Sequence, residues 1–235
     1  MSGDKNMIDE IEEDRLKAVS RYLMFNVKEE IQHIAKLASV IFKMPIALIT
    51  LIDKEEQVIL ASEGVDLDRM PRITSFCNHA IKIEEVMMVE DASKDERFKD
   101  FPTVTGDYHI RFYASANLKS DNGFNIGTLC VYDVKPNCMS EEQKSHLSLL
   151  ALQVERILEL NRQLKLSVKK NEALAKIAWV YSHKIKGPLA SIMGLVHLIK
   201  YDNYAFNPEY LAMLEKSANQ LDEELKLVVD KARVN

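Results

Sequence analysis

Glycine and proline are scarce in this chain, 7 and 6 among 235 residues, which leaves little room for disordered or low-complexity segments. No two glycines are separated by a single residue, so a Gly-rich phosphate cradle of the G-x-G or Walker type is excluded. Cysteine is rarer still. Cys77, Cys130 and Cys138 are odd in number and lack a C-x-x-C spacing, which argues against a disulfide framework or a zinc site and suits a reducing compartment. No run approaches the roughly 18 apolar residues of a membrane span. The N-terminus, MSGDKNMIDEIEED, is acidic where a signal peptide would be basic and then apolar. The expectation is a soluble, cytoplasmic protein without membrane contact. Strong positive charge is also missing: the net charge is −5, and residues 140–235 hold 14 Lys and Arg against 12 Asp and Glu. Nucleic acid is therefore not an expected partner.

What is present falls into two textures. From Ile8 to Phe42, apolar residues such as Ile31, Ile34, Ala35, Ala38 and Phe42 recur at helical spacing and predict one or two helices. PIALITLID and EEQVILAS then read as two strands, with Asp53-Lys54-Glu55 as the turn of a hairpin. VMMVE, RFYASANL and IGTLCVYD read as further strands, the last two joined through Asn122-Gly123, a strong tight-turn signal. Short strands joined by hairpins, with helices before, between and after, predict an α+β domain on an antiparallel sheet.

Beyond Ser140 the pattern is helical. Ser140-Glu141-Glu142-Gln143 is a capping box, and no glycine or proline follows until Gly187, so one long helix is expected. Leu147, Leu150, Val154, Ile157, Asn161 and Leu164 form a heptad seam that predicts a parallel dimeric coiled coil. Ile185, Leu189, Ile192, Val196 and Ile199 continue an apolar stripe. The chain breaks at YDNYAFNPEY, where Asn207 can cap and Pro208 suits a first helical position. A final helix carries Leu211, Leu214, Ala218, Leu221, Leu225, Val228 and Ala232. A helical hairpin with one stripe per helix cannot bury both, so two copies are expected to form a four-helix bundle.

Within this helical part, Gly187-Pro188 follows shortly after His183. An interior proline removes a helix hydrogen bond and collides with the carbonyl four residues back, at a cost of about 3 kcal/mol. Glycine adds about 1 kcal/mol. The result is a weakened turn beside His183, which lies on the solvent flank of the stripe, as does His197 fourteen residues later. A neutral imidazole offers a nucleophilic nitrogen for phosphoryl transfer. Ser182-His183-Lys184-Ile185-Lys186-Gly187-Pro188-Leu189 resembles the phosphoacceptor box of sensor histidine kinases. The resemblance implies that residues 173–235 are a dimerisation and phosphotransfer hairpin, with His183 phosphorylated and Gly187 and Pro188 as its hinge. The family usually has Glu or Asp after the histidine. Here Lys184 stands in that place, as a solvated charge or a partner for phosphate oxygens. ATP and Mg are expected only on a separate ATP-binding domain, working in cis if the chain is a fragment or in trans if it is a phosphorelay part.

In the first part, SFCNHAI, EDASKDERFKDFPTV, HIRFYASANL and IGTLCVYD resemble the recurring segments of GAF domains, over roughly Asp14 to Leu158. That implies a twisted antiparallel sheet with helices on one side and a ligand pocket on the other. The ligand is not legible. Cys77 and His79 could touch a ligand or metal, though a buried small hydrophobe and a structural histidine are the favoured readings. Arg111 could bind an anion, and pairing with Asp91 or Asp95 is the favoured reading. His109 and Cys130 have no partner at ligand spacing, and Met87 and Met88 read as core. The domain boundaries expected are 1–139 for the sensor, 140–172 for a signalling helix whose start packs on the sensor, and 173–235 for the hairpin. Taken together, these features predict the sensory and phosphoacceptor portion of a two-component histidine kinase. It would act as a homodimer, pass phosphate from His183 to an aspartate of a response-regulator receiver, and possess a small-molecule input. The alternative is a dimeric GAF protein or scaffold without phosphotransfer.

Overall fold

The computed structural model describes residues 2–24, 27–201 and 207–233. By internal contacts the chain divides into two units, residues 1–164 and 165–235. The first begins with helices α1 (Ser2–Leu23) and α2 (Lys28–Phe42), followed by the hairpin β1 (Ile46–Ile52) and β2 (Glu56–Glu63). Then come the short strand β3 (Arg69–Pro71), helix α3 (Phe76–Ala80), β4 (Met87–Val89), helix α4 (Pro102–Thr105), β5 (Phe112–Lys119) and β6 (Asn125–Asp133). The six strands form one antiparallel sheet in the order β3-β2-β1-β6-β5-β4.

The expected turns close as the sequence requires. Between β1 and β2 the amide of Asp53 donates to the Glu56 carbonyl at 2.9 Å. In the β5–β6 turn Gly123 takes a φ of +81°, a left-handed conformation that favours glycine. Gly127 serves closeness instead: a Cβ there would lie 1.9 Å from the carbonyl oxygen of Thr50 on the neighbouring strand. Strand β3, only three residues long, gave no sequence signal.

Strand alternation sends side chains to two different faces. On one, Ala47, Ile49, Phe112, Ala114, Leu129 and Val131 meet α1 and α2 through Ala18, Val19, Ile31, Ala35 and Phe42. On the other, Leu48, Tyr113, Cys130 and Tyr132 lie under α3 and the segment around Phe98.

Helix α5 (Glu141–Val180) starts with the expected reciprocal cap. The Gln143 amide donates to Ser140 Oγ at 3.2 Å, while the Ser140 amide donates to Gln143 Oε1 at 2.9 Å. Its start packs against the first unit, so the seam residues there meet their own chain and not a coiled-coil partner. Leu147, Ala151, Val154 and Leu158 are buried in the core beside α1 and α2, and Leu150 and Ile157 pack against that core. The stripe fills the sheet face of its own chain, a nearer apolar partner than a second helix. Asn161 sits half-buried and donates to the Ile157 carbonyl at 3.1 Å. The face that remains outward on this part of α5 carries Leu149, Leu160 and Leu164.

In the second unit, helix continues through Tyr181–Ile185 in π form and then as α6 (Lys186–Tyr201). Residues 202–206 of the expected break lie outside the described residues. Helix α7 (Pro208–Arg233) starts as expected, with the Glu209 amide donating to Asn207 Oδ1 at 2.9 Å. The expected stripes are partly covered between α6 and α7, where Ile192, Ile199, Leu214 and Leu221 are half-buried. Ile185, Pro188 and Leu195 are buried, whereas Leu189 and Val196 are exposed, as are Leu211, Ala218 and Leu225 on α7. The side chains of Val228 and Ala232 lie outside the described residues.

Candidate functional site

Under α3 the sheet carries more polar groups than a sealed core needs. Ser75 caps α3, its Oγ accepting from the Cys77 amide at 3.0 Å and donating to the side-chain Oε1 of the buried Gln57. The cap directs Cys77 inward, where its Sγ lies 3.7 Å from Cys130 Sγ on β6. Tyr113 donates its hydroxyl to Cys77 Sγ at 3.4 Å, and Tyr132 Oη is 3.7 Å from Cys77 Sγ and 3.6 Å from Cys130 Sγ. Nearby, Thr50 and Thr128 join hydroxyl to hydroxyl at 3.2 Å. Both thiols are fully buried. Burial opposes ionisation of Cys77, but hydrogen bonds from Cys130, Thr128, Tyr113 and Tyr132 outweigh it and lower its pKa. Burial, and then the Cys77 sulfur beside it, push Cys130 up.

Beside this cluster lies a narrow apolar pocket of ≈ 40 Å³ lined by residues including Ile46, Leu48, Phe76, Thr103 and Tyr132. The Thr103 hydroxyl is buried without a hydrogen-bond partner. In its present form the pocket is far smaller than the roughly 300 Å³ or more of a typical small-molecule site. It suits a ligand of a few heavy atoms with an apolar body and one polar group.

The other sensor residues have structural settings. His79 is half-buried, its ring edge-on to Phe98 at 5.0 Å; burial, then Lys82 and Arg97, lower its pKa. Met87 is buried in β4, and Met88 is half-buried, its Sδ accepting from the Met139 amide at 3.4 Å. His109 occupies a loop position with φ +46°. Arg111 corrects its expectation: its guanidinium donates to the backbone carbonyls of Val104 and Ile110, each at 3.0 Å. Asp91 binds Ser93 and Lys94 instead, and Asp95 binds Arg97, because those partners are only two or three residues away. The Cys77–Cys130 contact escaped sequence reading because 53 residues separate the two; strand alternation alone placed Cys130 on the α3 face. Among the described residues no group of three or more His, Cys, Asp or Glu is arranged to hold a metal.

The second candidate site is the turn around His183. Tyr181–Ile185 is π-helical, a widening common where helices carry function, and His183 is its central residue. Pro188 follows, unable to donate to the Lys184 carbonyl. His183 is exposed, and the chain's single tryptophan, Trp179, lies one turn before it with ring centroids 5.0 Å apart. Lys184 Nζ reaches Glu224 on α7 at 3.1 Å. Gly187 is open to solvent, and a Cβ there would touch nothing within 4 Å. His197 is exposed on regular helix.

The first unit superposes on known structures. A GAF domain from a phosphoenolpyruvate-protein phosphotransferase of Coxiella burnetii matches with TM-score 0.51 at 13% identity, covering 64% of this chain and 96% of that one. It is a GAF fold. The free methionine-R-sulfoxide reductase of Neisseria meningitidis matches with TM-score 0.50 at 20% identity, over 66% of this chain and 91% of that one. At these identities the likeness is one of fold. In sequence, the chain is 44% identical over 108 residues to a cyclic di-GMP phosphodiesterase of Pseudomonas aeruginosa, a match spanning 46% of this chain and 18% of that protein. No family model matches the chain. No helix among the described residues is long and apolar enough to cross a membrane.

Proposed function

We propose that this chain is the sensory and phosphoacceptor portion of a two-component signalling protein. The GAF domain takes a small ligand beside Tyr132, α5 carries the resulting change, and His183 receives the phosphoryl group. The observation that carries this reading is the exposed imidazole at the centre of a π-helical turn ahead of Pro188. A bundle helix selected only for stability gains nothing from that combination. An exposed neutral imidazole nitrogen can attack a phosphorus atom, and a loosened turn lets the backbone under the ring bend. Lys184 cannot take the imidazole proton; paired with Glu224, it instead ties the turn to α7. Trp179 packs beside the imidazole and limits its orientations.

In this reading the active form is a homodimer that covers Leu189, Val196, Leu211 and Leu225 in a four-helix bundle. ATP and Mg belong to an ATP-binding domain in cis or in trans, and the phosphate passes to a receiver-domain aspartate. The test is phosphate transfer to the full chain from labelled ATP with a histidine-kinase ATP-binding domain, or from a phosphorylated receiver. Acid-labile label should vanish in His183→Gln and persist in His197→Gln. No label from any donor on a folded dimer would sink the reading. A second reading, a ligand-binding GAF scaffold without phosphotransfer, is favoured by the 108-residue likeness to a protein of different output. It requires an unchanged ligand response in His183→Gln.

A further inference from the structure

Cys77 and Cys130 have no part in the proposed phosphotransfer, yet they are set as a pair. Their sulfurs are 3.7 Å apart, and a disulfide needs about 2.05 Å, so closure asks for less than 2 Å of approach. Cys77 is on the short helix α3 and Cys130 on the central strand β6, so one side of the pair can shift without breaking the sheet. Hydroxyl groups of Tyr113 and Tyr132 point at the sulfurs and can stabilise a thiolate. Two further polar groups in this layer, Ser115 Oγ and Gln57 Nε2, are buried without partners. Tyr132 also lines the narrow pocket, whose ≈ 40 Å³ admits a molecule no larger than a few water-sized groups.

We propose that Cys77 and Cys130 form a peroxide-sensitive dithiol, with hydrogen peroxide as the oxidant. The Cys77 thiolate attacks one peroxide oxygen; the S–O bond forms, the O–O bond breaks, and the departing hydroxide takes the thiol proton as water. The Cys130 sulfur then attacks the sulfenic sulfur, the S–O bond breaks, and a second water leaves with the Cys130 proton. Two thiols lose two electrons, and one peroxide is reduced to two waters. The bond draws α3 toward β6 and displaces Tyr132 from the pocket wall, linking redox state to ligand binding. This proposal stands whether or not His183 is phosphorylated.

The test uses the full chain in a Cys138→Ser background, so that an intramolecular disulfide can join only Cys77 and Cys130. After peroxide treatment the protein is quenched, unfolded, alkylated and mapped by mass spectrometry without reduction. Expected is the loss of both alkylatable thiols, a linked peptide pair containing Cys77 and Cys130, and recovery of both thiols with dithiothreitol. In a Cys77→Ser variant the remaining thiol should stay alkylatable. In Cys130→Ser, Cys77 should accumulate as a sulfenic acid trapped by dimedone. Both buried thiols fully alkylated, at peroxide doses that oxidise the exposed Cys138 of the unaltered chain, would overturn the proposal. So would disulfides found only between chains.

Discussion

The two units of this chain bury apolar surface to very different degrees. In the GAF unit both faces of the sheet are covered, and large rings such as Phe76, Phe98 and Tyr113 are almost fully buried and stacked on one another. In the hairpin, few apolar side chains are buried, while Leu189, Met193, Val196, Leu211 and Leu225 stand 40% exposed or more. A sheet with helices on one face and α3 with its loops on the other closes its core within one chain. Two helices cannot, because each buries one stripe against the other and leaves the adjoining stripe in water. The first unit thus closes its core within one chain, while the second leaves apolar stripes open to water.

That contrast can be broken by substitution. Phe76→Ala removes a buried ring packed against Phe98 and Tyr113 and should cost about 3–5 kcal/mol in urea denaturation. If the proposed dimer covers Leu189, Leu189→Ala should cost about 2 kcal/mol, with a concentration-dependent transition. A change within about 0.5 kcal/mol would mean that the face stays in water. Next in size is Pro188→Ala, which restores an N–H for the Lys184 carbonyl and returns part of the ~3 kcal/mol cost of an interior proline. Amide exchange across residues 181–189 should slow roughly tenfold or more, and phosphorylation of His183 should fall. Unchanged exchange would deny the turn its role as a hinge.

The smallest effect sharpens the account of the first unit. Glu12 lies between Arg15 and Arg72, at 2.7 Å from each. Partial burial raises its pKa, but the hydrogen bonds and charges of the two guanidinium groups prevail and bring it to about 2. A folded pKa below the unfolded value of about 4.3 contributes stability that is complete above that value and is lost as pH falls toward 2. Because the carboxylate is about one-third exposed, solvent screening reduces its worth to about 1 kcal/mol. The difference in stability between the unaltered chain and Glu12→Gln should therefore be present at pH 7 and shrink between about pH 5 and pH 2. A pH-independent difference would assign Glu12 a packing role only.

Much of this architecture was legible in one dimension. Hairpin turns at Asp53–Glu55 and Asn122-Gly123, the Ser140–Gln143 capping box and the Asn207-Pro208 helix start all depend on residues a few positions apart, where local chemistry decides. The effect of Pro188 is local in the same way, since a missing N–H acts on its own helix whatever surrounds it. How far along α5 the stripe meets the sensor was not legible. Leu147 and Val154 at heptad spacing satisfy a coiled coil and a sheet face equally, and only the position of the sheet settles which one they meet. Arg111 misled in the opposite way: two acidic residues at plausible distance already had nearer cations.

The sequence by itself determined the element order, the turns, the helix caps and the exposed histidine beside a broken helix ladder, because each follows from backbone sterics and hydrogen bonding among neighbours. Tertiary structure alone decided which α5 residues the core of the first unit covers, and that Pro188 and Leu195 are buried in the hairpin while Leu189 and Val196 are not. It also brought Cys77 to Cys130. These depend on which surfaces meet, and burial of apolar area is indifferent to distance along the chain.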